Sequence, residues 1–315
     1  MLNMERLEDL VLFAEVVQQT GFAAAARSLG MQRSKLSRRV AELEQRLGVR
    51  LLQRNTRSIS LTAAGEQIYR HARTLANEAR AAFKVAEEMN GEPRGLLRIT
   101  APATFAALTL MPLAAEFCQR HRQLDILVDT RNWVPDIVAE GFDLAFCLQS
   151  APLGDSSLVA RTIGTVPMMV AASPELVAHG RLSHPVQLCA FKLHARAAQG
   201  GLKTLRFVHP AQGEYTHEYL PHLITGSVAV QQAAVIAGMG VACMPRYLCG
   251  DALRANQMVD VFEDGSGWGP EPATVYAILP ARHGVALSAR MFLDFAVPRL
   301  AAVLRDEAQS LGVAP

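Results

Sequence analysis

The stretch from Gly21 to Gly65 limits most tightly how this chain can fold. Leu36, Val40, Leu43 and Leu47 recur at spacings of four, three and four, which places them on one buried stripe of a helix. At about 100° per residue, Ser34, Arg38 and Ala41 fall opposite that stripe, with Lys35 and Ser37 on its flanks. Residues 22–29 form a preceding helix, rich in Ala so that the two helices can approach closely. Gly30 ends it and permits a turn. Two helices joined by a short Gly-containing turn, the second one basic, make a helix-turn-helix. Leu7, Leu10, Val11, Phe13, Ala14 and Val17 place a first helix beneath it.

Charge assigns this unit a partner. Between Arg27 and Arg57, nine Lys or Arg stand against Glu42 and Glu44, in a 315-residue chain whose formal net charge is +2. Residues 1–90 hold 14 basic and 10 acidic residues, residues 91–315 hold 17 and 19. A basic block in a near-neutral chain points to a polyanion held by the head alone. The competing reading is a solvated face of paired charges. Arg33, Ser34, Lys35, Ser37 and Arg38 form a short, hydroxylated, cationic face that suits the major groove of double-stranded DNA. Past Gly48, residues 51–52 and 58–61 read as short strands flanking Arg54, Asn55, Thr56 and Arg57. This is a wing, whose arginines reach the minor groove or phosphates unless acids of their own domain claim them.

From Ala63 to Met89 there is no Pro, and Ile68, Ala72, Leu75, Ala79, Ala82, Ala86 and Met89 repeat at alternating spacings of four and three. Such a seam predicts a linker helix that pairs two chains, the alternative being an amphipathic helix lying on its own body. Gly91, Glu92 and Pro93 end it.

The pattern then turns to alternating strands and helices: strands at 96–100, 124–129, 142–148, 166–172, 241–244 and 273–279, helices at 105–120, 134–140, 228–237 and 288–304. Ser173-Pro174-Glu175 reads as a helix start. This alternation predicts an α/β body of parallel strands with crossover helices. In such a body a ligand sits at the carboxyl ends of the strands. The turn Thr100-Ala101-Pro102-Ala103-Thr104 offers hydroxyls and free N–H groups there, which favour a carboxylate or other anion. Cys147, at the end of the 142–148 strand, faces the same crevice. His194, Arg196 and Arg206 can supply positive charge or be plain surface charge, and Gly240, which turns the chain into the next strand, is counted with them at the effector site.

The chain resembles the LysR-type transcriptional regulators. The resemblance rests on Phe22, Ala25, Ala26, Leu29, Gly30, Leu36, Ser37, Arg38, Leu43, Glu44, Leu47, Gly48, Leu51, Arg54, Arg57, Leu61, Thr62, Ala64 and Gly65. It continues in the 134–145 stretch ending Gly141-Phe142-Asp143-Leu144-Ala145, in Ser156-Ser157-Leu158 with Ala160-Arg161, and in 237–245. At the start of the basic helix, Gln32, Arg33 and Ser34 stand where the family often has Ser-Gln-Pro or Ser-Gln-Ser, so no operator half-site is carried over. Many relatives also carry an Arg near Cys147, which is absent here.

The resemblance implies an all-α winged helix-turn-helix over 1–62 and a dimerisation helix over 63–91. It implies an effector domain over 92–315 like periplasmic binding proteins, with lobe I at 94–165 and 270–305 and lobe II at 166–269. In the family the Thr100–Thr104 turn lines the site of a small-molecule effector. A homodimer, pairing again into a homotetramer, and contact with RNA polymerase are further implied partners.

Other constellations fail on spacing. His217-Glu218-Tyr219-Leu220-Pro221-His222 misses H-E-x-x-H because position 221 is Pro. Gly238-Met239-Gly240 lacks a third Gly, and Asp264-Gly265-Ser266-Gly267 is not a nucleophile elbow. No catalytic set, metal site or cofactor is expected. Five Cys (118, 147, 189, 243, 249) without C-x-x-C, no apolar run near ~18 residues and an acidic start predict a cytoplasmic chain with reduced thiols. Two other functions remain open at this level: a thiol redox sensor acting through Cys147 or Cys243, and a small-molecule binder whose head serves only assembly.

Overall fold

A computed structural model of the chain describes residues 4–54, 59–88, 91–149, 158–196, 200–280 and 285–310. Residues 1–92 together with 136–141 form one compact unit, and 93–135 with 142–315 form a second.

The first unit opens with α1 (Met4–Gln18), α2 (Phe22–Ser28) and α3 (Arg33–Leu47). Phe13, Val16, Ala25, Leu36, Val40 and Leu51 are fully buried and close its core. Gly30 ends α2 at φ 61, with Gly30 N bonded to Arg27 O and Met31 N to Ala26 O. That pair of bonds is a Schellman stop, which needs a left-handed residue, and it turns the chain directly into α3. Leu47, expected in the buried stripe, is 43% exposed. It is the last residue of α3, where Gly48 already turns the chain away.

β1 (Leu52–Arg54) and β2 (Ile59–Leu61) form the antiparallel wing, and α4 (Ala63–Glu88) follows. Thr62 starts α4: its hydroxyl accepts from Gly65 N at 2.9 Å and donates to Arg50 O at 2.7 Å. A Cβ on Gly65 would lie 2.0 Å from Leu51 O, so only glycine lets α4 approach the wing. The Thr-x-Ala-Gly signature is therefore a cap plus a backbone contact. Ile68, Tyr69 and Ala72 pack into the core of their own unit. The first turns of the linker helix are thus an intramolecular face, contrary to a seam free along its whole length. The side chains of Ala82, Ala86 and Met89 lie outside the described residues.

The second unit holds two five-stranded sheets. β3 (Gly95–Ala101) runs into α5 (Ala103–Phe105), a π-helical segment (Ala106–Leu110) and α6 (Met111–Arg120). β4 (Leu124–Thr130) comes next, then α7 (Ile137–Glu140), which belongs to the first unit, where Asn77 Nδ2 donates to Val138 O. β5 (Leu144–Gln149) and β6 (Leu158–Val166) follow. Lobe II contains β7 (Met168–Ala172), β8 (Leu193–Arg196), β9 (Lys203–His209), β10 (Gly213–Tyr219) and β11 (Leu223–Thr225). It continues with α8 (Val228–Ile236), β12 (Val241–Pro245), α9 (Gly250–Arg254), β13 (Val259–Asp260) and β14 (Gly269–Pro270). β15 (Ala273–Pro280) and α10 (Leu287–Ser310) return to lobe I.

Lobe I has strand order β4-β3-β5-β15-β6 and lobe II β11-β8-β12-β7-β13. Both sheets are mixed, not purely parallel as the alternation suggested. β3, β4 and β5 run parallel, but β15 is antiparallel to β5 and β6. β8, β11 and β12 run parallel, but β7 is antiparallel to both its neighbours, β12 and β13. The antiparallel strands are those that connect the lobes or return from one to the other. The lobe II sheet is covered on both faces: Met169, Ala171, Ala242 and Met244 face α8, while Val170, Ala172 and Val241 pack with Phe207, Phe262 and Trp268. Phe207 comes from a separate three-stranded sheet, β10-β9-β14.

Candidate nucleic-acid interface and ligand crevice

In the head, the described cations from Arg27 to Arg50 differ in what they touch. Arg39 Nε lies 2.5 Å from Asp9 Oδ1 and Arg39 Nη2 2.8 Å from Glu8 Oε2. Arg46 also bonds Asp9. Asp9 is 2% exposed, so these bonds clamp α3 to α1 rather than facing a partner. The Arg39 hydrogen bond holds the Glu8 carboxyl below its ordinary range. Arg38 pairs with Glu42 at 3.5 Å on the solvent side. Glu44 Oε1 accepts from Leu51 N and Leu52 N, tying α3 to the wing. Arg27, Arg33, Lys35 and Arg50 are exposed and make no ion pair among the described residues.

Two of those four sit at the start of α3, whose first turn holds no acid and whose Gln32 cap makes no side-chain hydrogen bond. Cations at a helix N-terminus cost roughly 0.3–1 kcal/mol each. A bound phosphate reverses that sign and also meets the free N–H groups there. Ser34 is exposed and Ser37 half-buried beside them. Thr56, Arg57 and the Arg54 side chain lie outside the described residues.

In the body, the turns just past the carboxyl ends of β4 and β11, one in each lobe, come together at Asn132 and Gly226. The two lobes meet where a Cβ on Gly226 would lie 3.5 Å from Asn132 Nδ2. Thr100 is a strand residue, in register with Asp129 and Ala145, because β3 continues to Ala101. It is 2% exposed, and its hydroxyl has no hydrogen-bond partner among the described residues. Ala103 is exposed and Thr104 half-buried at the start of α5. Cys147 lies on the Thr100 face of β5, buried, its thiol pushed up to about 11 by desolvation. Arg196 closes β8 in register with Thr225, and burial lowers its pKa. Thr100, Ala103, Thr104, Cys147 and Arg196 therefore share the carboxyl-end side.

Three expected residues leave that set. His194 stands at the amino end of β8, 2% exposed, with burial lowering its imidazole pKa. Gly240 packs on it: a Cβ there would fall 2.2 Å from Lys192 O and 2.9 Å from His194 Nε2. Arg206 projects from β9 and pairs with Glu271 at 3.4 Å. Two crevice residues escaped the sequence reading. Arg131, just past β4, donates to Asp129 Oδ2 at 2.6 Å and covers the Phe142 ring at 5.6 Å. Ser227 caps α8, its hydroxyl accepting from Val230 N. Polar residues after an apolar strand were the available signal.

Desolvation moves the thiols of Cys147, Cys243 and Cys249 away from the thiolate. Burial raises Cys243 and Cys249 to about 12 and Cys147 to about 11. Reactive sensor thiols need the opposite shift. No group of His, Cys, Asp and Glu among the described residues could hold a metal. No described helix is long and apolar enough to cross a membrane.

Comparison with known proteins bears on both sites. Residues 7–66 match the model of the bacterial regulatory helix-turn-helix protein, lysR family, and residues 90–301 match the LysR substrate binding domain. An HTH-type transcriptional regulator of Xanthomonas campestris pv. campestris is 32% identical over 299 residues, covering 93% of this chain and 85% of that one. The full-length structure of the Vibrio cholerae virulence activator AphB superposes with TM-score 0.62 at 26% identity, covering 93% of this chain and 98% of that one. CrgA of Neisseria meningitidis, a LysR-type transcriptional regulator, gives TM-score 0.56 at 28% identity, covering 93% and 98%.

Proposed function

This chain belongs to the LysR family of transcriptional regulators, and on that premise we propose how its own residues divide the work. The exposed, unneutralised cations at the start of α3 carry the reading. Arg33, Ser34, Lys35, Ser37 and Arg38 enter the major groove, while Arg54, Thr56 and Arg57 follow the adjacent backbone or minor groove. The later turns of α4 pair two chains, and the dimers pair again, so that recognition helices occupy spaced half-sites. A small molecule bound at the strand carboxyl ends, by Thr100, Thr104, Arg131 and Arg196, changes the lobes and through them the DNA contacts. Its class is a carboxylate or other anion, because Arg196 is half-buried and the Thr100 hydroxyl is unpaired. The chain performs no reaction of its own in this reading, acts in the cytoplasm, and meets RNA polymerase at the promoter.

Footprinting of DNA upstream of its gene tests this. Protection is expected for the native chain and not for Arg33→Ala/Lys35→Ala, with thermal melting unchanged. Protection by both chains alike would contradict the assignment.

A further inference from the structure

A pocket of about 490 Å³ opens in lobe II at the opposite end of β8 from the crevice. Lys192 and Leu193 enter it at the amino end of β8, about 10 Å along the strand from Arg196. Its other walls come from the end of β10 and the loop beyond, and from the end of the 3-10 helix Pro185–Ala190. The volume lies within the ~300–1,000 Å³ typical of small-molecule sites.

The lining is chemically divided. His217 is 7% exposed, yet its imidazole has no hydrogen-bond partner among the described residues and only stacks on Tyr219 at 6.2 Å. β10 turns His217 inward, and its position is pinned by register with Leu205. Lys192 is exposed and makes no ion pair among the described residues. Phe191, Tyr219, Leu220 and Pro221 supply apolar surface, and Leu220 is 74% exposed, without apolar cover. Glu218 adds one negative charge at the rim, which repels a second carboxylate.

We propose that this pocket is a second ligand site, separate from the crevice, taking a small monocarboxylate with an apolar body. The Lys192 ammonium meets the carboxylate, His217 hydrogen-bonds one of its oxygens, and the body packs between Phe191, Tyr219 and Leu220. Burial lowers the His217 pKa, so the ring is neutral at pH 7 and donates through one nitrogen.

Calorimetric titration of the full chain with phenylacetate tests this, with malonate as the dianionic control. Phenylacetate is expected to bind. His217→Phe, which keeps the apolar fill, and Lys192→Gln each weaken binding about tenfold. Thr100→Val leaves this affinity unchanged, and malonate gives no heat suppressed by Lys192→Gln. An unchanged thermal midpoint certifies the His217→Phe fold, and if it falls, Lys192→Gln at an exposed position decides. Absence of binding, affinity indifferent to Lys192→Gln, or affinity lost in Thr100→Val would each overturn the second site.

Discussion

The buried acids that fix α3 in the head and the buried polar groups behind the crevice in the body are held in different ways. In the head, Asp9 is 2% exposed and bonded by Arg39 and Arg46, and one Glu44 oxygen accepts two backbone N–H groups. In the body, the Thr100 hydroxyl and both Gln231 amide atoms are as deeply buried and find no partner among the described residues. The head spends its internal acids on holding α3 rigid, which leaves other cations free to face outward. The body keeps the unpaired Thr100 hydroxyl on the carboxyl-end side of β3, where the proposed effector sits. A charged surface serves a polyanion, and a dry unpaired group serves a ligand that brings its own partner.

The largest effect that could break this contrast is Asp9→Ala. It strands Arg39 and Arg46 and should cost the head about 3 kcal/mol. Hydrogen exchange would quicken across α1 and α3 and stay unchanged in the lobe II sheet. Next comes Gly65→Ala, whose new Cβ meets Leu51 O, with an expected loss of about 2 kcal/mol read by the same exchange. If Gly65→Ala is neutral, α4 is not held against the wing by backbone contact.

Acidification should separate the two regions more gently. Burial lowers the folded pKa of His194 and His217 from 6.5, so the unfolded chain binds protons that the folded body refuses. Body stability is therefore full above 6.5 and declines as pH falls toward the folded values. Asp260, raised by burial, works the other way: its contribution is lost as pH rises through its folded value. Glu8 is lowered from 4.5, so the head keeps its contribution until pH falls below that value. Exchange measured from pH 7.5 to 5 should show the body softening first, and His217→Phe should flatten the trend. The smallest stability effect is expected of Thr100→Val, which removes an unpaired hydroxyl at constant shape. Its melting should shift hardly at all, while the response of DNA binding to a crevice effector disappears.

The head was largely legible in the sequence because its determinants are local. The 4-3-4 stripe, the Gly30 turn and the Thr62-to-Gly65 signature each act within a few residues. The Asp9 clamp was not legible, since its partner Arg39 lies 30 positions away and only the packing of α1 on α3 joins them. The body was legible as alternating elements but not as directions. β8 is only four residues long and went unread, so His194 and Arg196 were grouped although they stand at opposite ends of it. The β9–β10 hairpin interleaves few apolar residues with Thr204, Arg206, Glu214 and Glu218, leaving too weak a period to read. Arg131 gained meaning only once β4 paired with β3 and brought it to Ala101 O.

The salt dependence of DNA binding tests the central claim most directly. Affinity of the full chain for duplex DNA from upstream of its gene is measured across salt for the native chain, Arg33→Ala/Lys35→Ala and Arg206→Ala. Loss of two phosphate-facing cations should lower the slope of log affinity on log salt by about two. Arg206→Ala, which removes one positive charge from the body, should leave the slope as it was. Equal slopes for all three chains would contradict the assignment of the α3 face to DNA.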